Sequence, residues 1–210
     1  MELLELLYDH YKDSYERSMK EQEKRNKNFV ILCVLEALSF FILFNSSKAY
    51  EILESFINMN NENPVELSDS ILRPLLWIFI LYVSIRYCQN TIYVERQYKY
   101  IHKLEKRISK ETTKFDFNRE SFNYLSNRPL VLKFISFFYK WFAPGLFFII
   151  NTVRIIIEFF SLNFDLYLIF DIAIYLIISF LCISYICFIN IKEEKRKAIC
   201  QKVKKILKRK

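Results

Sequence analysis

Five side chains that could take part in chemistry lie inside otherwise apolar stretches of this 210-residue sequence. Asn151, Arg154 and Glu158 are three and four residues apart, which places them on one face of a helix. Glu36 and Asp171 lie in two further apolar stretches. An ionisable side chain is costly in such surroundings unless it is paired or hydrated, so these five residues are the first candidates for a site.

The spacing of these residues predicts that they meet. Counted in residues from the outer ends of their apolar stretches, Arg154 and Asp171 lie at nearly the same depth in the membrane. Glu158 lies about one turn nearer the outer surface, and Glu36 lies about one turn deeper. We therefore expect Arg154 and Asp171 to come into contact. Two interpretations remain open: a buried network that orients the helices, or the lining of a hydrated pore or ion-binding cavity.

A second pair would suit different chemistry. Arg96 and His102 form the pattern R-x5-H, which resembles the Arg/His pair of HEPN ribonucleases, where both side chains act on the scissile phosphate. The alternative is an exposed basic face, since Lys99, Lys103 and Lys106 lie close by. The chain has one Gly, five Cys without C-x-x-C spacing, and no Ser/His/Asp grouping. We therefore expect no cofactor, no metal site and no enzymatic activity.

The elements that must position these residues are four apolar stretches, at 29–44, 71–88, 141–160 and 168–189. Charges are pushed into the gaps between them, and the last stretch carries one charge in 22 residues. Such segregation excludes an ordinary soluble domain and predicts helices in lipid. The fold class we predict is an all-α membrane protein with four transmembrane helices and helical cytoplasmic extensions.

Basic residues predict the orientation. Of the 31 Lys and Arg, 26 lie in residues 1–28, 89–133 and 190–210, whereas residues 45–70 hold only Lys48. The positive-inside rule then places both termini in the cytoplasm, and we expect a multi-pass protein of the bacterial inner membrane. The basic surface of the tail is expected to contact anionic lipids, with nucleic acid as the alternative. It comprises Lys195, Arg196, Lys197, Lys204 and Lys205.

This topology divides the chain into five segments. Residues 1–28 are expected to form a cytoplasmic amphipathic helix, and residues 190–210 a basic cytoplasmic tail. Residues 89–129 are expected to form a cytoplasmic stalk and loop. Residues 29–88 are expected to hold the first two spans, joined by an outer loop at 45–70. Residues 130–189 are expected to hold an elbow at the membrane interface, turned by Pro144-Gly145, and the third and fourth spans.

The predicted stalk carries an apolar seam. Val94, Ile101, Leu104 and Ile108 follow heptad spacing with Gln97 as a polar member. Two heptads indicate that this helix buries one stripe against another helix. We expect that partner to be its own amino-terminal helix or a second copy of the chain, and a cytosolic protein could also bind there.

Three segments carry a resemblance: VERQYKYIHKLEKRIS, RESFNYLSNRPLVLKF and the YKWFAP elbow. They resemble uncharacterised small multi-span bacterial membrane proteins. The arrangement of spans and cytoplasmic segments is similar to that of membrane accessory proteins encoded beside bacterial immune systems, including RNA-targeting CRISPR loci. The function we predict is a non-enzymatic, self-associating membrane effector or accessory channel that is signalled through its cytoplasmic helices, and the resemblance implies antiphage defence as its setting. The alternatives are a membrane scaffold or sensor that recruits a cytosolic partner, and a HEPN-like ribonuclease on the stalk.

Overall fold

A computed structural model describes residues 2–58, 69–112, 130–161 and 165–190. Within these ranges the chain is almost entirely helical and contains no strand. A π-helical turn at Phe138–Phe142 joins α4 to α5 without a break. The helices are α1 (Glu2–Phe44), α2 (Ser46–Asn58), α3 (Asp69–Glu111), α4 (Leu130–Phe137), α5 (Ala143–Ser161) and α6 (Leu166–Asn190).

Four helical segments are long and apolar enough to cross a membrane: Leu3–Phe44, Leu72–Glu111, Lys133–Phe160 and Leu166–Ile189. Large apolar side chains such as Val34, Phe79 and Phe180 point away from the bundle and are exposed. An apolar surface of this extent is stable against lipid and unfavourable in water. The chain is a multi-pass, all-α membrane protein, and the prediction of four spans is confirmed.

The helices α1 and α3 are each 43 residues long. At 1.5 Å per residue each measures about 64 Å, about twice the thickness of a bilayer's hydrocarbon core. Residues 2–28 of α1 and 89–111 of α3 therefore continue beyond the spans as a two-helix stalk. The sequence analysis treated residues 1–28 as a separate helix. The chain has neither Gly nor Pro from residue 1 to 44, so nothing interrupts α1 at that boundary.

The predicted seam of the stalk is confirmed. Ile101, Leu104 and Ile108 are buried against Tyr11 of α1, and Val94 is also buried. The partner is the chain's own amino-terminal helix, one of the two partners expected. Polar contacts flank the apolar cluster: Tyr11 Oη donates to Glu105 Oε1 at 3.2 Å. Packing and hydrogen bonding together hold the two stalk helices side by side.

The outer loop predicted at 45–70 is wrong over its first half. α1 ends at Phe44, and α2 then occupies Ser46–Asn58. Its residue Ala49 packs in a small cluster with Ile42 and Leu76. An amphipathic pattern explains the helix, since one face meets the ends of the spans. Residues 59–68 lie outside the described ranges.

The turn predicted at Pro144-Gly145 is wrong as well. The chain runs as one helix from residue 130 to 161, and Pro144 lies in its interior. Pro144 has no N–H, and its ring crowds the carbonyl of the preceding turn. The helix accommodates it by widening, because the amide of Ala143 bonds to the carbonyl of Phe138, five residues earlier.

The spans surround a core in which Trp77, Ile80 and Ile178 are fully buried. In the bundle α3 packs along α1 and against α6, and α6 packs against α5. The pairing of α1 with α5 closes the ring.

Candidate functional site

All five residues singled out from the sequence lie in one buried region between the spans. Glu36, Asn151, Arg154, Glu158 and Asp171 are each 3% exposed or less. Three of them lie on α5, as their spacing predicted, while α1 supplies Glu36 and α6 supplies Asp171. Buried charges this deep are stable only with partners, so the arrangement of their hydrogen bonds decides what the cluster can do.

The strongest interaction is an ion pair within α5. Arg154 Nε donates to Glu158 Oε1 at 2.8 Å, and both side chains are 1% exposed. The two residues are one turn apart, so the pair forms without help from a neighbouring helix. Breaking it by removing one partner would leave the other charge buried and unpaired, which is far more costly than removing both.

Trp77 of α3 holds this pair from the side. Its indole Nε1 donates to Glu158 Oε2 at 3.1 Å. The Arg154 guanidinium lies 4.1 Å from the centroid of the Trp77 ring, a cation–π distance. The sequence analysis missed Trp77 because it counted only as an apolar residue. An indole N–H inside a span needs an acceptor, and that signal could have placed it beside an acidic residue.

Asn151 connects α5 to α1. Its Nδ2 donates to Glu36 Oε1 at 2.6 Å and to the carbonyl of Phe147 at 2.8 Å. The carboxamide has two donors, and both are used. Within the described ranges, Asn151 Oδ1 and Glu36 Oε2 have no hydrogen-bond partner. The α1–α5 seam is therefore joined at this depth by one charge-assisted hydrogen bond.

Arg154 and Asp171 do not form the contact that the sequence analysis expected. Neither carboxylate oxygen of Asp171 has a hydrogen-bond partner in the described part of the chain, although the side chain is fully buried. Asp171 still interacts electrostatically with Glu158, Arg154 and Arg73. The reason lies in Arg154, whose guanidinium is fixed by Glu158 and by the face of Trp77.

The groups in electrostatic contact around Asp171 and Glu36 are therefore four carboxyl groups, with Asp165 as the fourth, and the two guanidinium groups of Arg154 and Arg73. With all of them ionised they would carry two surplus negative charges, and within the described ranges several of their buried oxygens have no donor. Such a cluster can take up a proton or favour a passing cation. Within the described ranges, no three His, Cys, Asp or Glu side chains are grouped so as to hold a metal ion.

The stalk meets the spans at a second, aromatic contact. Phe29 of α1 packs its ring against Phe138 and Tyr139 of the π-helical turn, with centroids 5.5 and 5.8 Å apart. Lys140 in the same turn pairs with Glu95 of α3 at 2.7 Å. The two stalk helices and the wide turn of the third span are thus joined where the stalk enters the bundle.

The Arg96/His102 pair is not brought together on one face. Six residues at about 100° each set the two side chains about 120° apart around α3 and about 9 Å apart along its axis. Arg96 turns toward α6, where its guanidinium lies 5.2 Å from the centroid of the Phe188 ring. His102 is half-buried on the stalk.

The predicted basic surface of the tail, from Lys195 to Lys205, lies outside the described residues, as does the loop at 113–129. The site that the structure describes is therefore the intramembrane cluster of α1, α3, α5 and α6. Comparison with known proteins adds no family to this geometry. The chain matches no protein-family model, no curated protein and no solved structure.

Proposed function

We propose that this chain is a non-enzymatic membrane effector or accessory channel that self-associates and is controlled through its stalk. One observation carries the proposal. The two helices that form the stalk continue without a break to the depth of the buried polar cluster, where α1 carries Glu36 and α3 carries Trp77. A movement of the stalk is therefore transmitted directly to the cluster.

The α1–α5 seam is the proposed gate. At the depth of the cluster, this seam is held by the hydrogen bond from Asn151 to Glu36. Opening this seam would expose a row of polar groups that are buried in the closed bundle. A polar row within the hydrocarbon region lowers the barrier for water and ions.

Self-association would complete the path. A four-helix bundle with a packed core has little room for an aqueous channel of its own. If several copies opened toward a common axis, the polar faces of their α1 and α5 helices would line an aqueous channel along that axis. The exposed apolar faces of the spans, such as that of Phe180 on α6, offer lipid or neighbouring copies an extensive surface.

The charge asymmetry of the sequence supports a cytoplasmic stalk and both termini in the cytoplasm. It follows that the signal for opening is cytoplasmic. The resemblance to membrane proteins of bacterial immune loci supports antiphage defence in the bacterial inner membrane as the setting. In that setting, opening would depolarise the membrane of an infected cell.

A scaffold or sensor is the second candidate, favoured by one surface of the stalk. Tyr100, Lys103, Lys106 and Arg107 line a shallow cavity of about 340 Å³ beside the buried seam. A cytosolic protein with an acidic surface would fit it. This candidate predicts that a partner co-purifies with the chain and is lost when Lys106 and Arg107 are both replaced by Glu.

Ion flux from proteoliposomes tests the channel. The variant Arg154→Leu/Glu158→Leu removes both members of the buried ion pair, so neither member is left behind without the other. We expect wild-type protein to conduct and this variant to lose most of its flux. The matched control is Glu16→Ala/Lys20→Ala, an exposed stalk pair with the same spacing. Equal flux from all three proteins would contradict the proposed role of the cluster.

A further inference from the structure

A basic groove lies between α1 and α3 where the stalk enters the bundle. It has a volume of about 330 Å³. Its lining residues come from three turns of each helix and are mostly charged or amide-bearing: Glu21, Lys24, Lys27, Asn28, Tyr82, Arg86 and Asn90. Neither the buried cluster nor the seam of the stalk uses this surface.

Among the described residues, the groove holds the three cations Lys24, Lys27 and Arg86 against the single carboxylate of Glu21, which also interacts electrostatically with Arg86. Lys24 pairs with Glu21 at 2.7 Å, which leaves Lys27 and Arg86 as two further cations. Within the described ranges neither of them has a carboxylate at ion-pair distance. Two unpaired cations that converge on one groove favour a ligand with negative charge.

The geometry of Arg86 indicates which anion. Its Nε donates to Tyr82 Oη at 3.3 Å, and its guanidinium lies 5.6 Å from the centroid of the same ring. This contact orients the guanidinium and leaves its terminal nitrogens available to a ligand. A guanidinium fork beside a lysine ammonium is the usual pair for a phosphate group.

The position of the groove relative to the ends of the spans indicates the source of the phosphate. Lys27 lies two residues before the apolar stretch of the first span, and Arg86 lies two residues from the end of the second. The groove is therefore level with the lipid headgroups. Tyr82 is 56% exposed on the membrane side, in the position of an interfacial aromatic residue.

We propose that this groove binds the phosphate of an anionic phospholipid headgroup, with Lys27 and Arg86 as its principal contacts. Asn28 and Asn90 supply amide donors for the remaining phosphate or glycerol oxygens. A bound lipid would bridge the two stalk helices at their entry into the bundle. The proposal rests on the four-span arrangement and is independent of the channel.

Lipid titration of the full-length protein in detergent, followed by native mass spectrometry, tests the site. The test variant is Lys27→Gln/Arg86→Gln, and the matched control is Lys12→Gln/Lys99→Gln, which removes the same charge from exposed positions farther along the stalk. With about 1 kcal/mol for each interfacial cation, we expect the test variant to bind the first phosphatidylglycerol about thirtyfold more weakly than wild type.

The control variant and the charge-preserving variant Lys27→Arg/Arg86→Lys should stay within about threefold of wild type, since each keeps two cations in the groove. Equal affinity of the test and control variants for phosphatidylglycerol would overturn the proposal. Phosphatidylcholine and inorganic phosphate are the further titrants. If inorganic phosphate competed with the lipid at equal concentration, the groove would be a site for free phosphate and the lipid proposal would be wrong.

Discussion

Asn151 on α5 donates a hydrogen bond of 2.6 Å to Glu36 Oε1 on α1. The same carboxamide donates to the carbonyl of Phe147, so its orientation is fixed by its own helix. Glu36 is thereby held at a defined depth along a helix that extends without interruption into the stalk. This polar contact and the packing of Phe29 against Phe147 both join α1 to α5.

The buried pair Arg154–Glu158 should show strong non-additivity. Arg154→Leu leaves the Glu158 carboxylate buried without its cation and is expected to cost about 3 kcal/mol or more. The double variant Arg154→Leu/Glu158→Leu should lose less stability than the single variant, because the Glu158 carboxylate is no longer left without its cation. Thermal unfolding in detergent, followed by circular dichroism, measures both.

The exposed pair Glu16–Lys20 provides the matched comparison, since it has the same spacing on a helix at 3.1 Å. Replacing either residue by Ala should change the stability by less than about 1 kcal/mol. A single Arg154→Leu variant as stable as the wild type would contradict the described burial.

Trp77 is expected to matter through its N–H group as well as its size. Trp77→Phe removes the donor to Glu158 Oε2 and the strongest cation–π partner of Arg154. We expect a loss of about 2 kcal/mol. The control is Trp141→Phe, at a half-buried position in the π-helical turn, which should cost less. Chemical denaturation of the two variants compares them, and an equal loss in both would show that the Trp77 indole N–H contributes nothing.

A charge introduced into the buried seam of the stalk is expected to destabilise the stalk locally. Leu104→Asp places a carboxylate in the cluster of Tyr11, Ile101 and Ile108, at an expected cost of about 3 kcal/mol. Because the stalk lies outside the spans, we expect faster amide hydrogen exchange in residues 2–20 with little change in the spans. Lys103→Asp, at the adjacent exposed position, is the control and should leave exchange unchanged.

Accessibility of engineered cysteines tests the topology. In a background without native Cys, Lys12→Cys lies on the stalk and Glu51→Cys on α2, both at exposed positions. A membrane-impermeant maleimide added to intact cells should label Glu51→Cys. It should label Lys12→Cys only after the membrane is permeabilised, because the positive-inside rule places the stalk in the cytoplasm. The opposite pattern would invert the topology, and labelling of both would contradict the four spans.

The fold was largely predictable because segregated apolar stretches and heptad spacing depend only on residue type and position. The three-four spacing of Asn151, Arg154 and Glu158 likewise placed them on one face. The partner of Arg154 was not predictable in the same way. A guanidinium can reach a carboxylate on its own helix or on a neighbour, and the packing of Trp77 decides between them.

The wrong predictions of the outer loop and of the turn at Pro144 have local causes. Residues 45–70 were predicted as a loop because they lie between two spans, yet one turn of contact with the span ends suffices to dock α2. The turn at Pro144 was predicted from the residue's usual effect. A helix that widens by one residue per turn tolerates Pro, and sequence alone does not indicate that the wider turn will form.

The central claim is that the contact between Asn151 and Glu36 keeps the seam closed. Ion flux from proteoliposomes containing Glu36→Leu or Glu36→Gln tests it most directly. Gln keeps an acceptor for Asn151, whereas Leu removes it at a cost of about 1.5 kcal/mol or more in the closed state, which shifts the open fraction by about tenfold. We expect basal flux to rise about tenfold for Glu36→Leu and to change little for Glu36→Gln; flux from Glu36→Leu that equalled the wild type would contradict the account.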